Sequence, residues 1–513
     1  MKAKTKKIVI LLVLGLIFPL ILNNNFNLSN DFEHKVDIPR TSVTYHYIRI
    51  DELATTNTTY SGNWTWARAQ PWCTTGDGTK EYPYIIEDVT IIYPPAIDCL
   101  TIRNSRKYFI VRNCTFKDIP FSTFAGIRLD NVTNGNIIDN IAYNNTYGIY
   151  LDHCYYNNIS GNSVSKNSLG IYLYYCDNNT VSGNTANYNA HGIYLEESNN
   201  ITVSGNTAND NSDSGIYSYF CDYNNITGNT ANNNGDSGFY LDNCNFNTIS
   251  RNTINNNQDG IFIYVGLNNT FIGNTIRNNY VRGVHIHEDS DYNEFTENII
   301  SNNTIGMNIN GLNYNNLVYK NFFVNNGKHA FDRGTDNKWN STTIGNFWDN
   351  HTSPDLSPQD GIVDTPYAFI GGTSGSTDYL PIAEDGAPRI TVHSPSAGSN
   401  FGSAAPSYNL EVIDSAPVEM WYSFDGGGHN YTFTELTGTL NQSAWHVLPY
   451  GPVTITFYAR DVSGNIAFKQ VSVVKAEGLD PGMIAFIIII SVVAVVAVLS
   501  AAYFFLKKRK IPT

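Results

Sequence analysis

Gly126-Ile-Arg-Leu-Asp130, Gly148-Ile-Tyr-Leu-Asp152, Gly170-Ile-Tyr-Leu-Tyr174 and Gly192-Ile-Tyr-Leu-Glu196 are four versions of one phrase. It returns at Gly215, Gly238, Gly260, Gly283 and Gly306, with successive spacings of 22, 22, 22, 23, 23, 22, 23 and 23 residues. A fixed period of this length is the mark of a solenoid. Each copy holds short alternating runs of β-branched and aromatic residues broken by Asn, Gly, Ser and Asp, which is strand-and-turn chemistry. Gly and Asn at this density argue against helical repeats.

Positions also recur in columns. Fourteen residues after most repeat glycines stands an Asn: 140, 162, 184, 206, 229, 252 and 274, with Asn298 and Asn321 one residue late. Asn tolerates left-handed backbone and bonds neighbouring main chain, so a stacked Asn column suits a turn. Apolar columns begin at Ile127, Ile137 and Val164. Three inward columns separated by turns imply three short strands per coil. The expected fold is all-β: a right-handed parallel β-helix, on the order of 43 Å long at about 4.8 Å per coil.

The chain has 513 residues and a formal charge of −14, which gives no reason to expect a nucleic-acid partner. Lys2, Lys4, Lys6 and Lys7 precede an apolar run, so 1–22 reads as a signal peptide or N-terminal anchor. Residues 23–75 read as linker and N-terminal cap. At the other end, 483–506 carries no charge and is followed by Lys507-Lys508-Arg509-Lys510. This predicts one transmembrane helix, a basic cytoplasmic tail (507–513), and a single-pass cell-membrane protein with its bulk outside. Between 388 and 475, five alternating runs separated by Gly/Asp/Asn turns predict a small immunoglobulin- or fibronectin-like β-sandwich. Asn-x-Ser/Thr sequons include Asn113, Asn131, Asn158, Asn200 and Asn225, each an acceptor if the chain is exported to a glycosylating compartment. Among seven cysteines, Cys154, Cys176, Cys221 and Cys244 share one repeat position, and a column of buried free thiols is the expectation.

The entry Gly76-Asp-Gly-Thr79 with Pro83-Tyr-Ile-Ile-Glu87, the Gly-Ile-Tyr-Leu coils, and the exit motifs Asn337-Lys-Trp339, Gly345-Asn-Phe-Trp-Asp349 and Asp360-Gly-Ile-Val-Asp-Thr-Pro-Tyr367 resemble the NosD-type family of right-handed β-helix proteins. The resemblance spans 76–382. It implies a β-helix with a closing segment, and two family roles: periplasmic copper binding, and the carbohydrate-binding or sugar-hydrolase (CASH) domain.

Chemistry is sought on the outward positions of the first strand. One column reads Arg128, Tyr150, Tyr172, Tyr194, Tyr217, Tyr240, Phe262, His285, and its neighbour reads Asp130, Asp152, Tyr174, Glu196, Tyr219, Asp242, Tyr264, His287. Aromatic rings flanked by carboxylates suit a glycan, so Tyr150, Tyr172, Tyr194, Tyr217 and Tyr240 are the expected carbohydrate-binding residues, acting without catalysis. The enzyme alternative is a polysaccharide lyase, hydrolase or epimerase with Asp130 and Asp152 as an acid/base pair. A structural spacer or adhesin is the third reading. His285-Ile-His287 is a candidate Cu²⁺ or Zn²⁺ pair, and Asp355, Asp360 and Asp364 are candidates for Ca²⁺.

Overall fold

The computed structural model describes residues 44–476, apart from 120–122, 357–359, 385–386, 415–418 and 462–463. These belong to one compact unit, Thr44–Thr513; the other, Met1–Val43, lies outside the described residues together with the expected signal peptide.

The repeats form a three-faced parallel β-helix. The first face is a 14-stranded sheet and the second a 12-stranded one. The third is two six-stranded sheets joined through single bridges at Thr207. Registers reproduce the period: Ile127 pairs with Ile149, Ile149 with Ile171, and Ile171 with Ile193 on the first face. On the second, Ile137 pairs with Ile159 and Ile159 with Val181. On the third, Ala142 pairs with Val164 and Val164 with Ala186. All of these side chains have no exposed surface, so each coil adds a layer to one continuous apolar core.

The repeat glycine marks a close approach between coils. A Cβ on Gly148 would lie 2.2 Å from Val164 Cγ1 and 2.5 Å from the Gly170 carbonyl oxygen.

The corners are held by three buried asparagine ladders. The expected one runs through Asn140, Asn162, Asn184, Asn206, Asn229, Asn252, Asn274, Asn298, Asn321 and Asn346. At each step the backbone N–H and the side-chain amide donate to the Oδ1 of the next Asn; for Asn184 to Asn206 both distances are 2.9 Å. The same amide donates to a carbonyl in the preceding coil, as Asn206 Nδ2 does to Val181 O at 2.9 Å. A second ladder includes Asn157, Asn179, Asn224, Asn247, Asn269 and Asn293. A third runs from Asn145 and Asn167 through Asn189, Asn211, Asn234, Asn257, Asn279 and Asn303. Without them the turns would bury unpaired backbone groups, at about 1–3 kcal/mol each.

The cysteines join this scheme. Cys154 N–H donates to Cys176 Sγ at 3.2 Å and Cys176 N–H to Ser198 Oγ at 3.0 Å. All seven cysteines are free and buried.

Both ends of the core are covered. Helix Trp64–Arg68, capped by Asn63, lays Trp64 against Tyr84 with ring centroids 4.7 Å apart. At the exit, two fully buried carboxylates pin two indoles: Trp339 Nε1 donates to Asp332 at 3.0 Å and Trp348 Nε1 to Asp378 at 2.9 Å. Asn337 and Asn346 extend two of the ladders into this segment. Gly345 is required there, because a Cβ would fall 1.9 Å from Asp378 Oδ1. The recognisable exit motif is thus the plug of the rod.

Residues 389–475 form a three-stranded and a five-stranded sheet sharing one hydrophobic cluster around Tyr408, Leu410, Tyr422, Trp445, Ile455 and Phe457.

The expected membrane architecture is corrected. Among the described residues the only helices are Trp64–Arg68 and Gln442–Val447, and none is long and apolar enough to cross a membrane. The apolar run at 483–506, on which the single-pass reading and its cell-membrane location rested, lies outside the described residues. Apolar length in a sequence satisfies only the composition demanded of a span, and no described helix accompanies it here. The fold is an all-β solenoid followed by two small sheets.

Candidate functional site

The first face brings the predicted outward column into register: Arg128, Tyr150, Tyr172, Tyr194, Tyr217, Tyr240, Phe262 and His285 pair coil by coil. Tyr150 and Tyr172 stack at 4.8 Å and 9°, Tyr194 and Tyr217 at 4.9 Å and 6°, and Tyr217 and Tyr240 at 4.7 Å and 30°. Arg128 closes one end, its guanidinium 4.5 Å from the Tyr150 ring centroid. The rings are spaced by the coil rise, so they cover one another's faces. Tyr150 is 7 % exposed and Tyr172 9 %, and Tyr194, Tyr217 and Tyr240 are half-buried. The ladder therefore presents ring edges and hydroxyls to solvent rather than a flat aromatic floor.

The hydroxyls pair with the neighbouring acidic column. Tyr172 donates to Glu196 at 2.6 Å, Tyr217 to Asp242 at 3.2 Å and Tyr150 to Asp152 at 3.3 Å. Burial, followed by these carboxylates, pushes the phenols of Tyr150, Tyr172, Tyr194 and Tyr217 well above the ordinary tyrosine range. The same causes push Tyr240 up to about 12. The ladder is neutral at physiological pH and carries phenol–carboxylate pairs at Tyr150, Tyr172 and Tyr217.

A groove of about 740 Å³ runs along the turn between the third and first faces, lined by Asn144, Thr146, Lys166, Ser168, Tyr188 and Asp210 among others. Thr146 and Ser168 directly precede Tyr147 and Leu169, which pack against the ladder. The groove therefore borders the tyrosine face.

Asp130 and Asp152 are register neighbours, as expected, yet each is engaged separately. Asp130 holds Arg103 at 2.8 Å, and Asp152 holds His153 Nδ1 at 2.5 Å. Arg128, expected beside them, turns to Asp98 at 2.9 Å. Both partners, Asp98 and Arg103, come from the irregular first coils, where the period offers no alignment.

His285 and His287 share a strand, with ring centroids 5.3 Å apart at 89°. His285 is buried. Its Nε2 faces two donors, Arg282 Nη1 at 3.1 Å and Asn310 Nδ2 at 3.3 Å, which assigns the ring proton to Nδ1. Nδ1 lies 3.5 Å from Asp259, itself bonded to Arg282 at 2.9 Å. Burial lowers the pKa of His285, with Asp259 opposing and Arg282 reinforcing the shift. A lone pair aimed at a guanidinium is not available to a cation, so the pair does not fit copper or zinc. Among the described residues no three His, Cys, Asp or Glu side chains converge on a metal position. Asp355, Asp360 and Asp364 instead accept backbone N–H groups from Gly361, Ile362 and Leu356.

Of the sequons, Asn113, Asn200 and Asn225 are exposed, and Asn131 and Asn158 are half-buried. The Asn131 amide is engaged by Arg106 and Asn104.

The family model described as periplasmic copper-binding protein (NosD) matches residues 186–310 and 268–353, and that of the right-handed β-helix region matches 74–220. The chain belongs to the NosD-type right-handed β-helix family. Copper binding belongs to the family's description, and the described residues of this NosD-type chain assemble no site for it. No curated protein matches the sequence. Solved structures with similarity include the periplasmic alginate epimerase AlgG (16 % identity, 53 % of this chain and 81 % of that one, TM-score 0.37). They also include the Dettilon tailspike protein (13 %, 77 % and 88 %, 0.41) and the DFA-IIIase of Arthrobacter chlorophenolicus A6 (9 %, 56 % and 94 %, 0.35). At this level of likeness nothing about substrate passes from those proteins to this one.

Proposed function

We propose that this NosD-type solenoid binds polysaccharide without transforming it, along the tyrosine face and the groove beside it. The observation that carries the reading is the column of tyrosine rings from Tyr150 to Tyr240, with phenol–carboxylate pairs at Tyr150, Tyr172 and Tyr217. A saccharide chain presents hydroxyls at regular intervals along one direction, and this face presents donors and acceptors in the same manner. Absence of catalysis is proposed from the local bonding: Asp130 and Asp152 are each tied to a basic side chain of their own rather than poised around one space.

The test is a glycan array on the full chain, followed by Tyr194→Phe and Tyr217→Phe. These keep the stack and remove the hydroxyls. Selective binding that weakens about tenfold in the double variant, the loss expected from a pair of hydrogen bonds, supports the reading. Unchanged binding removes the ladder from it, and release of reducing or unsaturated ends from a bound glycan would replace it with an enzymatic one.

A further inference from the structure

The corner between the first and second faces carries aromatic rings of a different kind. One column there reads Tyr156, Asn178, Asn200, Tyr223, Phe246, Asn268, Tyr292 and Asn315. Backbone hydrogen bonds link its coils, as from Tyr223 N to Asn245 O and from Phe246 N to Leu267 O. Every member is left-handed, with φ between 55° and 59°. Asn is at home in that conformation, whereas a bulky ring carries a backbone cost. The rings are exposed there: Tyr156 is 67 % exposed, Tyr223 59 %, Phe246 48 % and Tyr292 57 %. Tyr223 and Phe246 stack on each other at 5.1 Å and 5°. Phe220, three residues before Tyr223, adds a further ring at 47 % exposure. Neither core packing nor backbone preference calls for these rings, and exposed aromatic clusters mark contact surfaces.

On either side of the pair the column carries an exposed Asn in place of a ring, Asn200 and Asn268. Tyr292 stands two coils beyond Phe246, about 9.6 Å along the rod. That is room for one pyranose between two rings, above the Asn268 amide. Charge narrows the class. Asp222 and Asp291 directly precede Tyr223 and Tyr292, and between Lys166 and Arg277 the only Lys or Arg is Arg251. Such a surface repels polyanions.

We infer that this corner is a second saccharide-binding strip, centred on Tyr223, Phe246 and Tyr292, that stacks on the ring faces of a neutral or amino-sugar polymer. It rests on the glycan-binding reading above, but assigns face stacking to the corner and leaves hydrogen bonding to the ladder.

The experiment measures binding of the full chain, expressed without N-glycosylation, to β-glucan, chitosan and alginate oligosaccharides of equal length. The variants are the Tyr223→Asn/Phe246→Asn pair and the ladder pair Tyr194→Phe/Tyr217→Phe. Asn is what the same column uses elsewhere, so the corner pair is expected to melt no earlier than the parent. The expected result is binding to the β-glucan or chitosan oligomer and not to alginate, with about tenfold weaker binding or more in the corner pair. Phe246→Tyr, which keeps the ring, should bind as the parent does. Parent-like binding by the corner pair overturns the inference, and if the ladder pair then loses binding the glycan reading stands alone. Preference for alginate overturns the charge argument. No binding to any oligomer overturns both readings. A changed oligomeric state in the corner pair with saccharide binding intact would reassign the patch to contact between copies.

Discussion

The tyrosines of the first face and the aromatics of the adjoining corner lie six residues apart in the coils that carry both, as Tyr217 and Tyr223 do, yet they meet solvent differently. On the face, Tyr172 is held between Tyr150 and Tyr194 and has 9 % of its surface exposed. At the corner, Tyr223 is 59 % exposed and sits where the backbone favours Asn. A ring on a strand is supported by its copies above and below and contributes to stability. A ring on a left-handed turn gains one stacking partner at most and contributes little. The difference teaches that residue type does not identify a binding surface in a solenoid; position within the coil does.

The frame beneath both regions can be broken first. Asn206→Ala removes the acceptor for the Asn184 backbone and side-chain N–H groups and the donor to Val181 O. It should cost about 3 kcal/mol or more, read by chemical denaturation, and disturb face and corner alike. A cost below about 1 kcal/mol would show that water replaces the ladder.

The contrast itself is sharpened by a matched pair. Tyr172→Ala should destabilise by about 2 kcal/mol, through a lost stack and a lost bond to Glu196. Tyr223→Asn should change stability by less than about 0.5 kcal/mol in either direction. Equal costs at the two sites would erase the distinction drawn here.

Acid should act on the face. His285 has a folded-state pKa below its unfolded value, so at mildly acidic pH the unfolded chain binds the extra proton. The stability associated with neutral His285 is complete above about pH 6.5 and is lost as pH falls below it. His285→Gln should flatten the melting temperature between about pH 6.5 and 5; an unaltered slope would place the titration elsewhere.

Alkali gives the smallest effect under ordinary conditions. The ladder phenols are raised, so the unfolded chain loses its protons first and stability declines above about pH 10. Absorbance of tyrosinate should show Tyr172 and Tyr217 ionising only as the rod unfolds, which Tyr172→Phe and Tyr217→Phe would identify by subtraction.

Counting from the repeat glycine locates one Asn ladder in the sequence. The same count would have found the other two, through Asn157 and Asn145, since both recur at the coil period. The outward tyrosine column was legible because a strand alternates sides strictly. Its coverage was not, because whether a stacked ring shows its face or its edge depends on side-chain packing across coils. The partners of Asp130 and Arg128 were hidden for another reason: Arg103 and Asp98 belong to coils that break the period.

By itself the sequence determined the solenoid, its three inward columns and the corner chemistry, because period, alternation and turn preference are local properties repeated many times. Only the tertiary structure decided which rings are covered, which carboxylates are already engaged, and that His285 faces a guanidinium rather than an open coordination site. They depend on contacts between residues some 20 to 30 positions apart, which stacking brings within hydrogen-bond distance and no local pattern encodes; even Arg282, three residues from His285, is held by Asp259 of the preceding coil.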